Sequence, residues 1–424
     1  MTENQTALPI DGQRVDEWIA TFAALTDESV VTPGVTRLAY TPLEREAHAL
    51  FTDFMANLGL KVWTDAVGNT IAEIPGTEDD HPAVGTGSHL DSVPSAGRFD
   101  GVVGVVAAML SAEAIVRSGI THRHPIRFVV FACEEGARFG QACIGSRIVA
   151  GLTTSADLER LKDSDGVSVA EAMSALGFDS RAVEETLWSP EDWAGFIELH
   201  IEQGSVLESE GIPIGIVDVI SGSSRFEVEL TGIAAHSGGM PMHLRRDALA
   251  AAAEILVEFE KLANDELHDG TRITVGRLDV QPGSITTIPG RCVFSVDVRD
   301  TDEERQQQTV RDAIEIATAI ANKRSVAIAT RKLADAAPRE LSSEVRQVLA
   351  ETCQDQSVQS RSLPSGGSHD AQMVSTICPT GMLFIPSGNG GVSHTPDEFS
   401  STEDIVRGAE ILVDAVQRLA GTQR

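Results

Sequence analysis

The chain has 424 residues, 42% of them hydrophobic and 23% charged, and a formal net charge of −30. That length exceeds one ordinary hydrophobic core, so two domains are expected. So acidic a surface repels phosphate backbones and argues against a nucleic-acid partner. No apolar run reaches the roughly 18 residues of a membrane span. Five scattered cysteines, with no Cys-x-x-Cys pair, argue against a disulfide framework or a structural zinc site. The start MTENQTALPIDGQRV lacks the basic and apolar regions of a signal peptide, so a reducing, cytoplasmic setting is expected.

In chain order, Thr41 is placed to cap a helix, with Pro42 in its first turn and Glu44 favouring its N-terminus. HPAVGTGSHLDSV reads as a strand ending near His89, and residues 101–119 as a helix closed by Gly119. PIRFVVFACEE is a second buried strand with Cys133 inside it as a small apolar residue, and AGFIELHIEQG is a third. Strands alternating with amphipathic helices give an α/β fold, a mostly parallel sheet covered by helices. From about residue 215 the order becomes strand, helix, two strands, helix, strand, through SRFEVELTG, TRITVGRLDV, GRCVFSVDVRD and SVAIATRKL. That is the ferredoxin-like order. After about residue 333 the first pattern resumes with the helix SEVRQVLAETCQ, the strand TGMLFIP and a last helix behind Ser401-Thr402-Glu403-Asp404. The expected organisation is a discontinuous catalytic domain, residues 1–214 and 333–424, with residues 215–332 inserted.

Polar residues cluster where the strands end. His89 and Asp91 close one strand, Glu134 and Glu135 another, and His200 and Glu202 a third; His394 follows TGMLFIP through a glycine-rich loop. Ligands of open α/β sheets bind beyond the carboxyl ends of the strands. The Glu-Glu pair follows the apolar run Phe128–Ala132, which does not suit a solvated helix face. Three histidines (His89, His200, His394) with Asp100 and Glu135 suit zinc or a similar divalent metal. Two ions about 3.5–4 Å apart need a shared carboxylate. Asp100, just before the helix, is best placed to be that group, with Asp91 expected to orient an imidazole.

The segments GSHLDSVPSAGRFDG, FACEEGARFG, ELHIEQGSVLE, GIAAHSGGMPMHLRRDAL and GVSHTPDE resemble the M20 metallopeptidase family. Within it they resemble the hydantoinase/carbamoylase branch of N-carbamoyl-L-amino-acid hydrolases, β-ureidopropionases and allantoate amidohydrolases. The resemblance implies a zinc-peptidase-like domain with an inserted ferredoxin-like lid that forms a homodimer. It implies two divalent ions, zinc first with manganese, cobalt or nickel as alternatives. His89, Asp100 and His200 would hold one, and Asp100, Glu135 and His394 the other. Glu134 would be the general base and Asp91 its support. His236 would stabilise the tetrahedral intermediate, reaching into the partner subunit, and Gln203, Arg299, Thr286 and His369 would bind substrate. The implied reaction is hydrolysis of a small ureido or amide compound; a dipeptidase or aminoacylase is the alternative, and a catalytically dead binding protein would lack Glu134 or a ligand. The chain departs from the branch at Thr286, where relatives carry Asn, at Ser237-Gly238-Gly239-Met240, and at Ser368.

Overall fold

Four apolar strands, Ile126–Phe131, Ala83–His89, Trp193–Ile201 and Thr380–Ile385, lie side by side in that order and run parallel. They are buried along nearly their whole length, as strands covered on both faces must be. The sheet is mixed at its edges. Thr70–Ile74 and Lys61–Thr64 continue it antiparallel on one side, and Ile214–Ile220 pairs antiparallel with Thr380–Ile385 on the other. In this computed structural model residues 9–78 and 81–421 are described; much of the N-terminal stretch read for a targeting signal lies outside them.

The helix Val102–Ser118 is apolar all round because it is covered all round. Val102–Ile115 are buried in a core shared with the helices Gly12–Ala24 and Thr402–Leu419. Gly119 ends it in the left-handed conformation, as expected. Thr41 and Ser401 cap their helices by accepting hydrogen bonds from the amides of Glu44 and Asp404, and Pro42 opens the first of these helices.

The chain divides into two compact units, Met1–Asp218 with Glu340–Arg424, and Val219–Arg339. In the second, the strands Gly222–Thr231, Arg291–Asp300 and Ala327–Ala336 form an antiparallel sheet with Leu278–Gln281 at one edge. Numbered along the chain, the order is 4-1-3-2, the ferredoxin-like arrangement. The helices Ala248–Ala263 and Glu303–Lys323 pack on this sheet around Phe226, Phe259 and Phe294. TRITVGRLDV, expected as one strand, is two, Arg272–Thr274 and Leu278–Gln281, both paired with Arg291–Asp300. Gly276 lies in the break, where it offers no side chain to pack.

Candidate metal centre

The four parallel strands bring their carboxyl ends to one edge of the sheet. His89 and His200 sit at the ends of two of them, Glu134 and Glu135 follow Phe131, and His394 lies on the loop after Ile385. Asp100 stands two residues before Val102. Gly101, between them, has φ +67°, and a Cβ there would fall 2.4 Å from His89 Cε1, so only glycine serves.

Asp100 faces two ways. Its Oδ1 is 3.0 Å from His200 Nε2 and 3.8 Å from His89 Nε2, while its Oδ2 is 3.1 Å from His394 Nε2. Glu135 Oε1 lies 3.6 Å from the same His394 nitrogen. In each set, His89, Asp100, His200 and Asp100, Glu135, His394, the donor atoms lie within 4.8 Å of one another. Ligands about 2.0–2.2 Å from a tetrahedral ion stand about 3.3–3.6 Å apart, which these spacings approach.

The charges are those of a cation site. Burial pushes Glu135 up to about 8, with the charge of Asp100 adding to it; Oε1 is buried without a hydrogen-bond partner among the described residues. Burial, then the charges of Glu135, Asp370 and Asp91, raises Glu134 well above the ordinary range. Asp100 resists burial: hydrogen bonds from His200 and His394 hold it well below. For His200, burial is outweighed by that bond and the imidazole rises to about 9; for His394 the bond to Asp100 is itself the chief cause of a rise to about 9. Burial lowers His89 to about 4, which keeps it a neutral ligand. An orphaned carboxylate oxygen beside imidazoles, and protons held where cations would neutralise the same groups, fit a pair of divalent metals.

The supporting contacts correct two expectations. His89 Nδ1 lies 3.1 Å from the main-chain carbonyl of Asp91, and the Asp91 carboxylate is farther away at 3.6 Å. That carboxylate instead accepts the amides of Glu134 (3.0 Å) and Glu135 (2.9 Å). Glu44 stands in the first turn of its helix, as expected, but is fully buried and accepts the amides of Tyr40 (2.6 Å) and Cys133 (3.1 Å). Cys133 lies just beyond the strand, with φ +56°, its N–H donating to Glu44. Two buried carboxylates thus hold three successive amides, from Cys133 to Glu135. Sequence reading also left Glu398 and Glu198 without roles. Glu398 accepts the amides of Phe99 (2.9 Å) and Asp100 (3.1 Å) and the hydroxyl of Ser393 (2.7 Å); Glu198 accepts the Ser88 hydroxyl and the Ala371 amide, both at 2.8 Å. The motif GVSHTPDE contains Glu398, the one signal that could have found it.

Gln203 and His369 also lie at this edge. The Gln203 amide donates to Asp100 Oδ2 at 2.7 Å. His369 is buried, its Nε2 2.9 Å from the Ser365 hydroxyl and its ring 4.6 Å from that of His200.

The remaining candidates belong to the inserted unit. His236 and Thr287 pair in a two-stranded ribbon, and the Ser237 amide donates to the Thr286 carbonyl at 2.9 Å. His236 Nδ1 accepts the amides of Gly238 and Gly239, each at 3.1 Å. That occupies its lone pair and leaves the proton of the neutral ring on Nε2. The Thr286 hydroxyl is 3.4 Å from that of Ser284. Arg299 donates from Nε to Asp297 at 3.1 Å. It sits at the opposite end of Arg291–Asp300 from the ribbon, whose base is tied down where Gly232 donates to the Gly290 carbonyl at 2.8 Å. Arg299 is eight steps along the strand from Arg291, about 26 Å at 3.3 Å each.

The model of peptidase family M20/M25/M40 matches residues 85–418. The chain belongs to this family. Within it, the chain falls in the carbamoylase branch. It is 42% identical over 388 residues to the N-carbamoyl-L-amino acid amidohydrolase of Geobacillus stearothermophilus, covering 91% of this chain and 94% of that one. To the ureidoglycolate hydrolase of Arabidopsis thaliana it is 35% identical over 421 residues, 98% of this chain and 88% of the relative. The crystal structure of AtUAH in complex with glyoxylate matches with a TM-score of 0.89 at 34% identity, covering 98% of this chain and 99% of the other.

Proposed function

We propose that this M20 protein is a binuclear metal-dependent amidohydrolase that cleaves a linear ureido or amide C–N bond of a small molecule. Its relatives named for N-carbamoyl-L-amino acids and for ureidoglycolate support the ureido class. The observation that carries the reading is Asp100, whose two oxygens face two separate ligand sets. His89, Asp100 and His200 would hold one divalent ion and Asp100, Glu135 and His394 the other, zinc first, with manganese, cobalt or nickel as alternatives. Bound there, the ions supply Lewis acidity and lower the pKa of water toward about 7.

The chain's own groups do the rest. Glu134 Oε2, 3.7 Å from His89 Nε2, faces the first ligand set. Its place beside that set suits a base that takes a proton from water and returns it to the leaving nitrogen. Asp91 fixes the backbone on which Glu134 and Glu135 stand. His236 offers an Nε2–H to the developing oxyanion. Arg299, Thr286, Gln203 and His369 contact the substrate. With the His236 ribbon and Arg299 at opposite ends of the strand Arg291–Asp300, a single inserted unit cannot turn both onto one small molecule. A homodimer through this unit would join His236 of one copy to the metal centre of the other. Hydrolysis of a ureido substrate yields a carbamate, which loses CO₂ and leaves an amine.

The test is a screen of zinc- or manganese-reconstituted protein against N-carbamoyl amino acids, ureidoglycolate, allantoate, N-acyl amino acids and dipeptides. The expected result is chelator-sensitive turnover of at least one ureido compound with kcat/KM above about 10⁴ M⁻¹s⁻¹, an ordinary enzyme value. Turnover of dipeptides alone would replace this reading with a dipeptidase.

A further inference from the structure

Cys143 lies nine residues after Glu134, and the fold ties the two together twice. The Cys143 amide donates to the Glu134 carbonyl at 2.6 Å, and its thiol donates to Glu134 Oε1 at 3.1 Å. The thiol is buried, and Cys143 itself is held in a left-handed conformation, φ +60°. The next two amides lock it there: Ile144 donates to the Cys133 carbonyl (2.8 Å) and Gly145 to that of Ala132 (3.0 Å). Asn69 closes the arrangement by accepting the Ala132 amide at 2.9 Å.

We propose that Cys143 is a positioning residue for the reaction, its thiol fixing one oxygen of the Glu134 carboxylate so that the other faces the metal centre. This rests on Glu134 being the general base. Oε1 takes the thiol proton, while Oε2 lies toward His89, where the reacting water and the leaving nitrogen would meet it. A neutral donor suits this place. A lysine or arginine would compete with the cations for the carboxylate, and a water would leave its orientation loose. The thiol remains a donor because burial, then the neighbouring charges of Glu134 and Asp370, keeps it protonated. Removing it leaves Oε1 a buried acceptor with nothing to accept.

Two measurements decide this. In Cys143→Ala, kcat should fall about tenfold or more, the worth of one hydrogen bond to a charged group, with KM and metal content held. Cys143→Ser, which keeps a donor, should recover most of the loss. Full activity in the alanine variant, equal loss in both variants, or loss of metal in either would overturn the proposal. The second measurement needs no turnover. The infrared S–H stretch of Cys143, isolated as the difference between wild type and Cys143→Ala, should move to higher frequency in a Glu134→Ala background. An unmoved band overturns the proposal even if a substrate is known. A protein that turns over none of the screened compounds, but shows the shift, would instead count against the proposed reaction alone.

Discussion

At the candidate metal centre of the larger unit, His89, Asp100, Glu134, Glu135 and His200 are buried; main-chain carbonyls hold the rings of His89 and His200, and the carboxylates of Asp91 and Glu398 accept the amides of Glu134, Glu135 and Asp100. In the inserted unit His236 and Thr286 are exposed, and two amides of the histidine's own loop steady its imidazole. The first arrangement gathers its groups within one unit: strand ends, buried acids and a shared carboxylate converge without outside help. The second presents a single donor outward and keeps Arg299 at the far end of the sheet. In the proposed reading the buried ligands give affinity for ions, and the exposed histidine, one nitrogen occupied, serves a composite site.

The sharpest way to break this contrast is Glu134→Gln. Loss of the base should cut turnover by about 10²- to 10⁴-fold while metal content, read by elemental analysis, stays at the wild-type level. Activity above a few per cent would separate Glu134 from the chemistry. Next comes His236→Ala, expected to cost about 10²- to 10³-fold, the usual loss for one oxyanion donor. Mixed in equal amounts with Glu134→Gln and allowed to exchange subunits, it should restore roughly a quarter of wild-type activity, since half the dimers are hybrids with one intact site of two. A mixture as inactive as its parents would confine His236 to its own subunit. The smallest effect concerns Thr286, which offers one hydroxyl donor where the family resemblance implies an Asn amide with two. Thr286→Asn should raise kcat/KM for N-carbamoyl-L-methionine by about 10- to 150-fold. No gain would mean that the hydroxyl already holds the substrate carboxylate as well as an amide would.

The same contrast explains what could be read from sequence. An apolar run that stops at a His or a Glu-Glu pair announces a strand end with chemistry on it, so the ligand edge and the inserted ferredoxin-like order were both legible. Contacts without periodicity were not. Glu44 looks like any acid in a first helical turn until the fold places it under Cys133, 89 residues away. Glu398 reaches the amide of Asp100 across 298 residues. Asp91 was expected to serve an imidazole, but its own main-chain carbonyl does so, which frees the carboxylate for two amides. A side chain that holds a backbone leaves no mark on hydrophobic pattern, and a strand broken at Gly276 differs from an unbroken one only by a missing side chain.

Whether two ions share Asp100 is read most directly from the number of tightly bound divalent ions per chain in Asp100→Ala and His394→Ala beside wild type. The shared carboxylate predicts two ions in wild type, one in His394→Ala, which leaves His89, Asp100 and His200 intact, and neither held tightly in Asp100→Ala. A single ion in wild type, or an Asp100→Ala protein that keeps both, would contradict it.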